Sequence, residues 1–314
     1  MHMNQFMIRA LVLSSCCLFS GLVPAQTPQD EESSRQIVLD RFNKARPAED
    51  VTTGISGSRV GPSNIAAKPP IYRRTGQIRL PGGRKPAPAS SEEIGVTVWR
   101  LRPSQSSDTG ARVLVLDGLK QSQWTPERIE ADTPLNIGDR VRLTVESPRA
   151  GFLYIIDREM YADGSLGEPM MIFPTTHTRG GDNRVAPGKL IDIPAQEDQY
   201  SYFTAQPGGT RRDQVAEVLT IILLTHPLPV QIGDQPLRMT DTQVAGWEKL
   251  WGGTAERLEL VGGAGRTWTN EEKAAGAAKG RQLTQAGPPP QTVYRVARKA
   301  GGPLLVTVPL RYAK

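Results

Sequence analysis

The chain has 314 residues, 22% of them charged, a net charge of +6 and two cysteines. Both cysteines, Cys16 and Cys17, lie in an apolar N-terminal run; once that run is removed, thiol nucleophiles, Cys-ligated zinc and iron–sulfur sites are excluded. The charge is localised: residues 46–91 hold eight Lys/Arg against two acidic residues, whereas residues 92–314 hold 26 of each, so the folded part lacks the bulk basic footprint that nucleic-acid binding needs.

The first 25 residues read as a secretory signal peptide. Arg9 precedes the apolar or small run Ala10–Val23, and Val23-Pro24-Ala25 places small residues for cleavage before Gln26. Ser14, Ser15, Ser20, Gly21 and Pro24 leave the run too short and broken to span a bilayer. Leu13-Ser14-Ser15-Cys16 loosely resembles a lipobox, but the apolar run continues past Cys16, which argues against lipidation. The expectation is an exported protein, in the periplasm or outside the cell, with no transmembrane span in the mature chain.

Residues 26–91 read as a disordered basic linker. Asp30–Lys44 could form a short amphipathic helix that is marginal alone. Beyond Pro47, Pro69-Pro70, Pro81-Gly82-Gly83 and Pro86-Ala87-Pro88 are loop and polyproline signals, with too few large apolar residues to offset the entropy of ordering.

A sandwich domain is expected over residues 92–229. Strand patterns occur at Ile94–Leu101, Arg112–Leu116, Arg128–Ala131, Arg140–Ser147, Phe152–Asp157, Met170–Phe173, Leu190–Ile193, Tyr200–Thr204 and Val215–Thr225. In Val141–Glu146, apolar and polar residues alternate strictly, as in a strand with one face in a core and one in water. Phe152–Ile156 and Val218–Leu224 are apolar on both faces, as in central strands. No long helical pattern intervenes, which favours a mainly β, antiparallel β-sandwich. Residues 230–314 read as a C-terminal α+β extension packed on it. Thr240-x-x-Gln243 and Thr269-x-x-Glu272 are capping boxes that open two short helices. In the first, Val244, Trp247 and Trp251 share one face and Gly252 stops it; the second ends near Gly280. Thr292–Val296 and Leu304–Tyr312 complete the strand pattern.

Leu135-x-x-Gly138-Asp139-Arg140-Val141-Arg142-Leu143, Gly151–Asp157, Asp163-Gly164, Ile172-Phe173-Pro174, Asp182-Asn183, Pro187-Gly188 and Ile193-Pro194 follow in order. As a set, over roughly residues 135–227, they resemble the bacterial family called domain of unknown function four-three-eight-four. The resemblance implies a β domain of the kind often found beside kinase or caspase-like peptidase domains. This chain has neither neighbour, and the family lends no catalytic residue.

The residues themselves carry little chemistry. Tyr161–Gly167 contains one carboxylate, Asp163, and a calcium loop needs more; Asp163-Gly164 is a hairpin-turn signal. His177 and His226 are the two histidines after the leader, and no Gly-x-Ser-x-Gly element accompanies them. Gly262–Thr267 lacks the Lys and spacing of a phosphate loop. No cofactor or metal is therefore expected. Tyr161, Asp163, His177, Asp182 and Asn183 remain as interaction candidates. The expected function is a non-enzymatic interaction or assembly module of the bacterial cell envelope, with an envelope protein or polymer as partner. The alternative is a hydrolase of an envelope polymer that uses two carboxylates among Asp157, Asp163 and Asp182.

Overall fold

A computed structural model describes residues 42–48, 70–79, 91–108, 110–117, 120–198, 201–208, 211–297 and 301–314. The signal-peptide reading and Tyr200 lie outside the described residues. The strands, in chain order, are β1 (Tyr72–Arg79), β2 (Ser91–Pro103), β3 (Val113–Asp117), β4 (Lys120–Ile129), β5 (Arg140–Glu146), β6 (Gly151–Tyr161), β7 (Met170–Phe173) and β8 (Arg184–Val185). Then come β9 (Leu190–Ile193), β10 (Phe203–Thr204), β11 (Gln214–Leu224), β12 (Leu237–Arg238), helix α1 (Asp241–Trp251) and β13 (Thr254–Leu260). Helix α2 (Asn270–Gly276), β14 (Thr292–Ala297) and β15 (Leu304–Arg311) complete the fold.

The architecture is an antiparallel β-sandwich. One sheet runs β1-β13-β14-β2-β4-β3, with β5 also on β2 and with β9 and β10 on β5. The second runs β12-β7-β6-β11-β15, with β8 on β6. All named strand pairs are antiparallel. Strand β2 is the spine of the first sheet: it pairs β14 through Ser91–Val96, β5 through Gly95–Leu101 and β4 through Val98–Pro103. Inward-facing residues of both sheets form the core, among them Ile94, Val96, Leu143 and Val145 from one and Leu153, Ile155, Ile221 and Val306 from the other.

The second sheet is covered on both faces. Its outer residues Tyr154, Ile156, Ile222 and Leu305 pack under Val244, Trp247 and Trp251 of α1. This is why β6 and β11 are apolar at successive positions rather than alternating. Both capping boxes form, at Thr240 with Gln243 and at Thr269 with Glu272. Trp247 and Trp251 stack at 5.6 Å with an interplanar angle of 8°.

Four expectations are corrected. Parts of the stretch read as linker belong to the fold: Phe42 and Arg46 are buried, and β1 pairs β13 along its length. Residues 230–314 are not an extension packed on a finished sandwich: β14 lies between β13 and β2, and β15 pairs β11 from Leu304 to Arg311. The C-terminal strands close the sheets that the preceding residues begin. The second helix ends at Gly276, earlier than Gly280. The polar face of β5 is not in water: Arg142, Thr144 and Glu146 are all buried.

A polar layer covers that face instead. Arg46 makes a bidentate contact with Glu146, at 2.6 and 2.7 Å, and also donates to the carbonyls of Gly287 and Pro288. Arg128 pairs Glu272 of α2. Trp99 donates to Thr144, which donates to Asp192. The Arg128 guanidinium lies 5.3 Å from the Trp99 ring centroid and that of Arg142 lies 4.9 Å from that of Trp268. Buried charges persist because opposite charges and carbonyls meet them; alternation along a strand reports polarity, and here it does not report exposure.

Candidate functional site

The inward face of β6 starts as core and ends as acid. By the two-residue period, Leu153, Ile155, Asp157, Glu159 and Tyr161 point the same way, and the first two are core residues. On β11 the corresponding series is Glu217, Leu219, Ile221 and Leu223, the last three in the core. The register places Glu217 directly opposite Glu159 and Leu219 opposite Asp157. Three carboxyls therefore gather at one end of the sandwich, and two of them oppose each other across the ladder. Like charges at opposed positions destabilise a sheet.

The local contacts are specific. Glu217 Oε1 accepts from Gln214 Nε2 at 2.6 Å and from Tyr312 Oη at 2.9 Å. Tyr161 donates its hydroxyl to Glu159, and its ring carries the Arg211 guanidinium 3.9 Å from the centroid. Asp157 Oδ1 and Glu217 Oε2 are buried and receive no hydrogen bond from any N–H or hydroxyl. The two carboxyls are neighbours, and each influences the charge of the other. Two neighbouring carboxylates repel, which favours the protonated form of one of them. Burial first, and then the Glu217 carboxylate, push the Asp157 carboxyl up to about 8. Burial also raises Glu217. Both carboxyls are thus held above the ordinary carboxylate range, which favours a proton on the pair.

This pair lies between two spaces. On one side is a mostly apolar cavity of about 130 Å³, walled by Leu135, Val141, Leu143, Phe203, Leu219 and Leu310 and reached by Asp157, Glu217 and Tyr312. On the other is a cleft of about 600 Å³ that Asp157 and Glu217 also line, together with Glu159, Tyr161, Glu168 and Asp241. In the cleft Asp241 is paired with Arg158 and Glu168 with Arg238, whereas Asp157, Glu159 and Glu217 have no ion-pair partner among the described residues. A second cleft, of about 640 Å³, shares Ile172 and Phe203 with the cavity and carries His177, Glu197, Asp198 and Asp234. Among the described residues no group of three or more His, Cys, Asp or Glu is arranged to hold a metal ion.

The interaction candidates separate. Tyr161 belongs to the acidic cluster. His177 is exposed and lines the second cleft. Asp163 caps its own turn, accepting from Ser165 N and Oγ at 2.9 and 2.6 Å, while Gly164 takes φ +81; Arg211 reaches it at 3.2 Å. Asp182 holds Arg184 in a surface ion pair at 2.8 Å. Asn183 is buried and donates to Leu153 O at 3.0 Å, which fixes the backbone beside β6. His226 follows β11 and is exposed. The carboxylate pair weighed among Asp157, Asp163 and Asp182 does not assemble, because Asp163 and Asp182 are spent on local turns. Asp157 meets Glu217 instead. The missed signal was present in the sequence: carboxylates at core-facing positions of two strands that pair.

No family model matches the chain, and neither a curated protein nor a solved structure does. The resemblance over residues 135–227 rests on its motifs alone.

Proposed function

We propose that this chain is an exported, non-enzymatic interaction module of the bacterial cell envelope, and that it engages an envelope protein or polymer at the acidic end of its sandwich. One observation carries the reading. Asp157, Glu159 and Glu217 occupy core-facing positions, Glu159 opposite Glu217, and among the described residues none of the three has an ion-pair partner; Arg158 of the same cleft is paired with Asp241. A fold gains nothing from that arrangement, and natural proteins retain such costs at functional sites. A partner bearing positive charge relieves it. The test is capture of partners from the native envelope fraction by wild-type protein and by the Asp157→Asn/Glu217→Gln double variant. The reading expects a partner that the wild type retains and the variant loses; equal capture by both refutes it. Export is part of the proposal, and N-terminal sequencing of the mature protein should begin at Gln26.

A second reading has one observation in its favour. Two converging carboxyls in a cleft can act as general acid and base on water. On this reading the substrate bond is an amide or ester of an envelope polymer. Turnover of peptide or ester substrates that disappears in Asp157→Asn would establish this reading over the first.

A further inference from the structure

We propose that the Asp157–Glu217 pair and the adjoining cavity form a binding site for an alkylammonium group, its unbranched apolar stem in the cavity and its nitrogen between the two carboxyls. The inference rests on the reading of the acidic end as the partner-binding surface and names what that surface recognises.

Four features converge on this chemistry. First, the ligand must be cationic. Asp157 Oδ1 and Glu217 Oε2 are buried acceptors without a donor, and an ammonium supplies three donors and a full positive charge. Second, it must carry apolar substance. The cavity that both carboxyls line is walled mainly by Leu, Val and Phe side chains, and at about 130 Å³ it admits a slender chain and little more. An unbranched stem buries apolar surface while its charged head reaches a polar site, as lysine does at surfaces. Third, a bare metal ion does not suit the site, since no triad of ligating side chains converges among the described residues. Fourth, an approach exists. Ile172 and Phe203 line both the cavity and the 640 Å³ cleft that holds Glu197, Asp198 and Asp234. A basic chain lying in that cleft could pass one side chain between them to the carboxyl pair.

Ammonium and proton compete for the same place. The groups facing Asp157 are Glu217 on β11, Glu159 on β6 and the Tyr312 hydroxyl just past β15, with Gln214 on Glu217. The cation that lines the same cleft, Arg158, is paired with Asp241. Burial favours the protonated form of the empty site, so binding of the amine releases a proton to solvent and affinity increases with pH. An alkylammonium keeps its own charge over that range, because lysine-type amines titrate near 10.4.

The shared chemistry has two sources, a lysine side chain of a protein and a small free amine. The experiment is calorimetric titration of the full-length protein at pH 6 and pH 9 with n-hexylammonium, with hexanol, with a Gly-Lys-Gly peptide and with the same peptide acetylated on its lysine. The expected result is saturable binding of an amine, tighter by at least tenfold at pH 9 than at pH 6, with no binding of hexanol or of the acetylated peptide. Asp157→Asn should weaken it at least tenfold; this isosteric change leaves the neutral pair intact, so the fold is retained, and a melting curve checks that. Binding of the peptide alone identifies a protein lysine as the source, and binding of hexylammonium alone identifies a small amine; either sustains the proposal. No amine binding, equal binding of hexanol, or equal affinity in Asp157→Asn overturns it. A captured envelope partner that is lost in the double variant, yet is indifferent to acetylation of its lysines, refutes the alkylammonium inference and leaves the partner-binding reading standing.

Discussion

Removing Arg46 should unfold much of what the amino-terminal segment holds. Its guanidinium is 0% exposed and its partner Glu146 3%. The contact is bidentate, at 2.6 and 2.7 Å, and two further N–H groups reach the carbonyls of Gly287 and Pro288, each at 3.0 Å. In Arg46→Ala, Glu146 remains on β5 beneath that layer with no counter-charge. Breaking a buried pair from one side costs about 3–5 kcal/mol, most of it the desolvation of the charge left behind. At about 2–4 °C per kcal/mol for a domain of this size, the melting temperature should fall by roughly 6–20 °C. Arg46→Met/Glu146→Met should recover most of the loss, because replacing both partners removes the stranded charge. Deleting residues 26–48 should cost as much as Arg46→Ala, in contrast to the reading of residues 26–91 as a disordered linker. Urea unfolding at pH 7 measures all of these. A loss under about 1 kcal/mol in Arg46→Ala would refute the reasoning, and with it the view that residues 42–48 are structural.

Other outcomes follow from single contacts. Burial raises the Asp157 carboxyl from 3.8 to about 8, so its contribution to stability is complete below about pH 4 and is lost as pH rises toward 8; the difference in unfolding free energy between wild type and Asp157→Asn, followed from pH 4 to 9, should shift in that direction, and a constant difference contradicts a raised Asp157. Gly95→Ala puts a methyl 2.8 Å from Pro290 Cγ and 2.9 Å from Phe42 Cζ, which should cost about 1–3 kcal/mol by overpacking; a neutral result in denaturant titration means that residue 42 does not rest on β2. Ile155→Asp buries a charge at a fully enclosed position and should abolish cooperative folding, so a sharp melting transition in that variant would displace β6 from the core.

Much of the fold was legible because it is periodic and local. Met170–Phe173 and Leu190–Ile193 coincide with the predicted strands, and Arg140–Glu146 does so within one residue. Both helices start where the capping boxes place them, since a cap is a contact between residues three apart. Strand β13 was missed: Thr-Ala-Glu-Arg-Leu-Glu-Leu has charges on both faces, and it is held by partners from the two ends of the chain, β1 and β14. Strand β1 was missed for the same reason, in a stretch whose composition suggests no core.

What the sequence determined by itself, then, is the class of structure: alternation and turn residues dictate short antiparallel strands, and the apolar runs at Phe152–Ile156 and Val218–Leu224 dictate the central pair. Only the tertiary structure decided which polar residues are charges in water and which are buried pairs, because Arg46 meets Glu146 across 100 residues. It also decided the site. Asp157 and Glu217 are 60 positions apart, and neither is unusual in its own segment. They come together because β6 and β11 pair in one register, which aims both carboxyls inward, where the core ends.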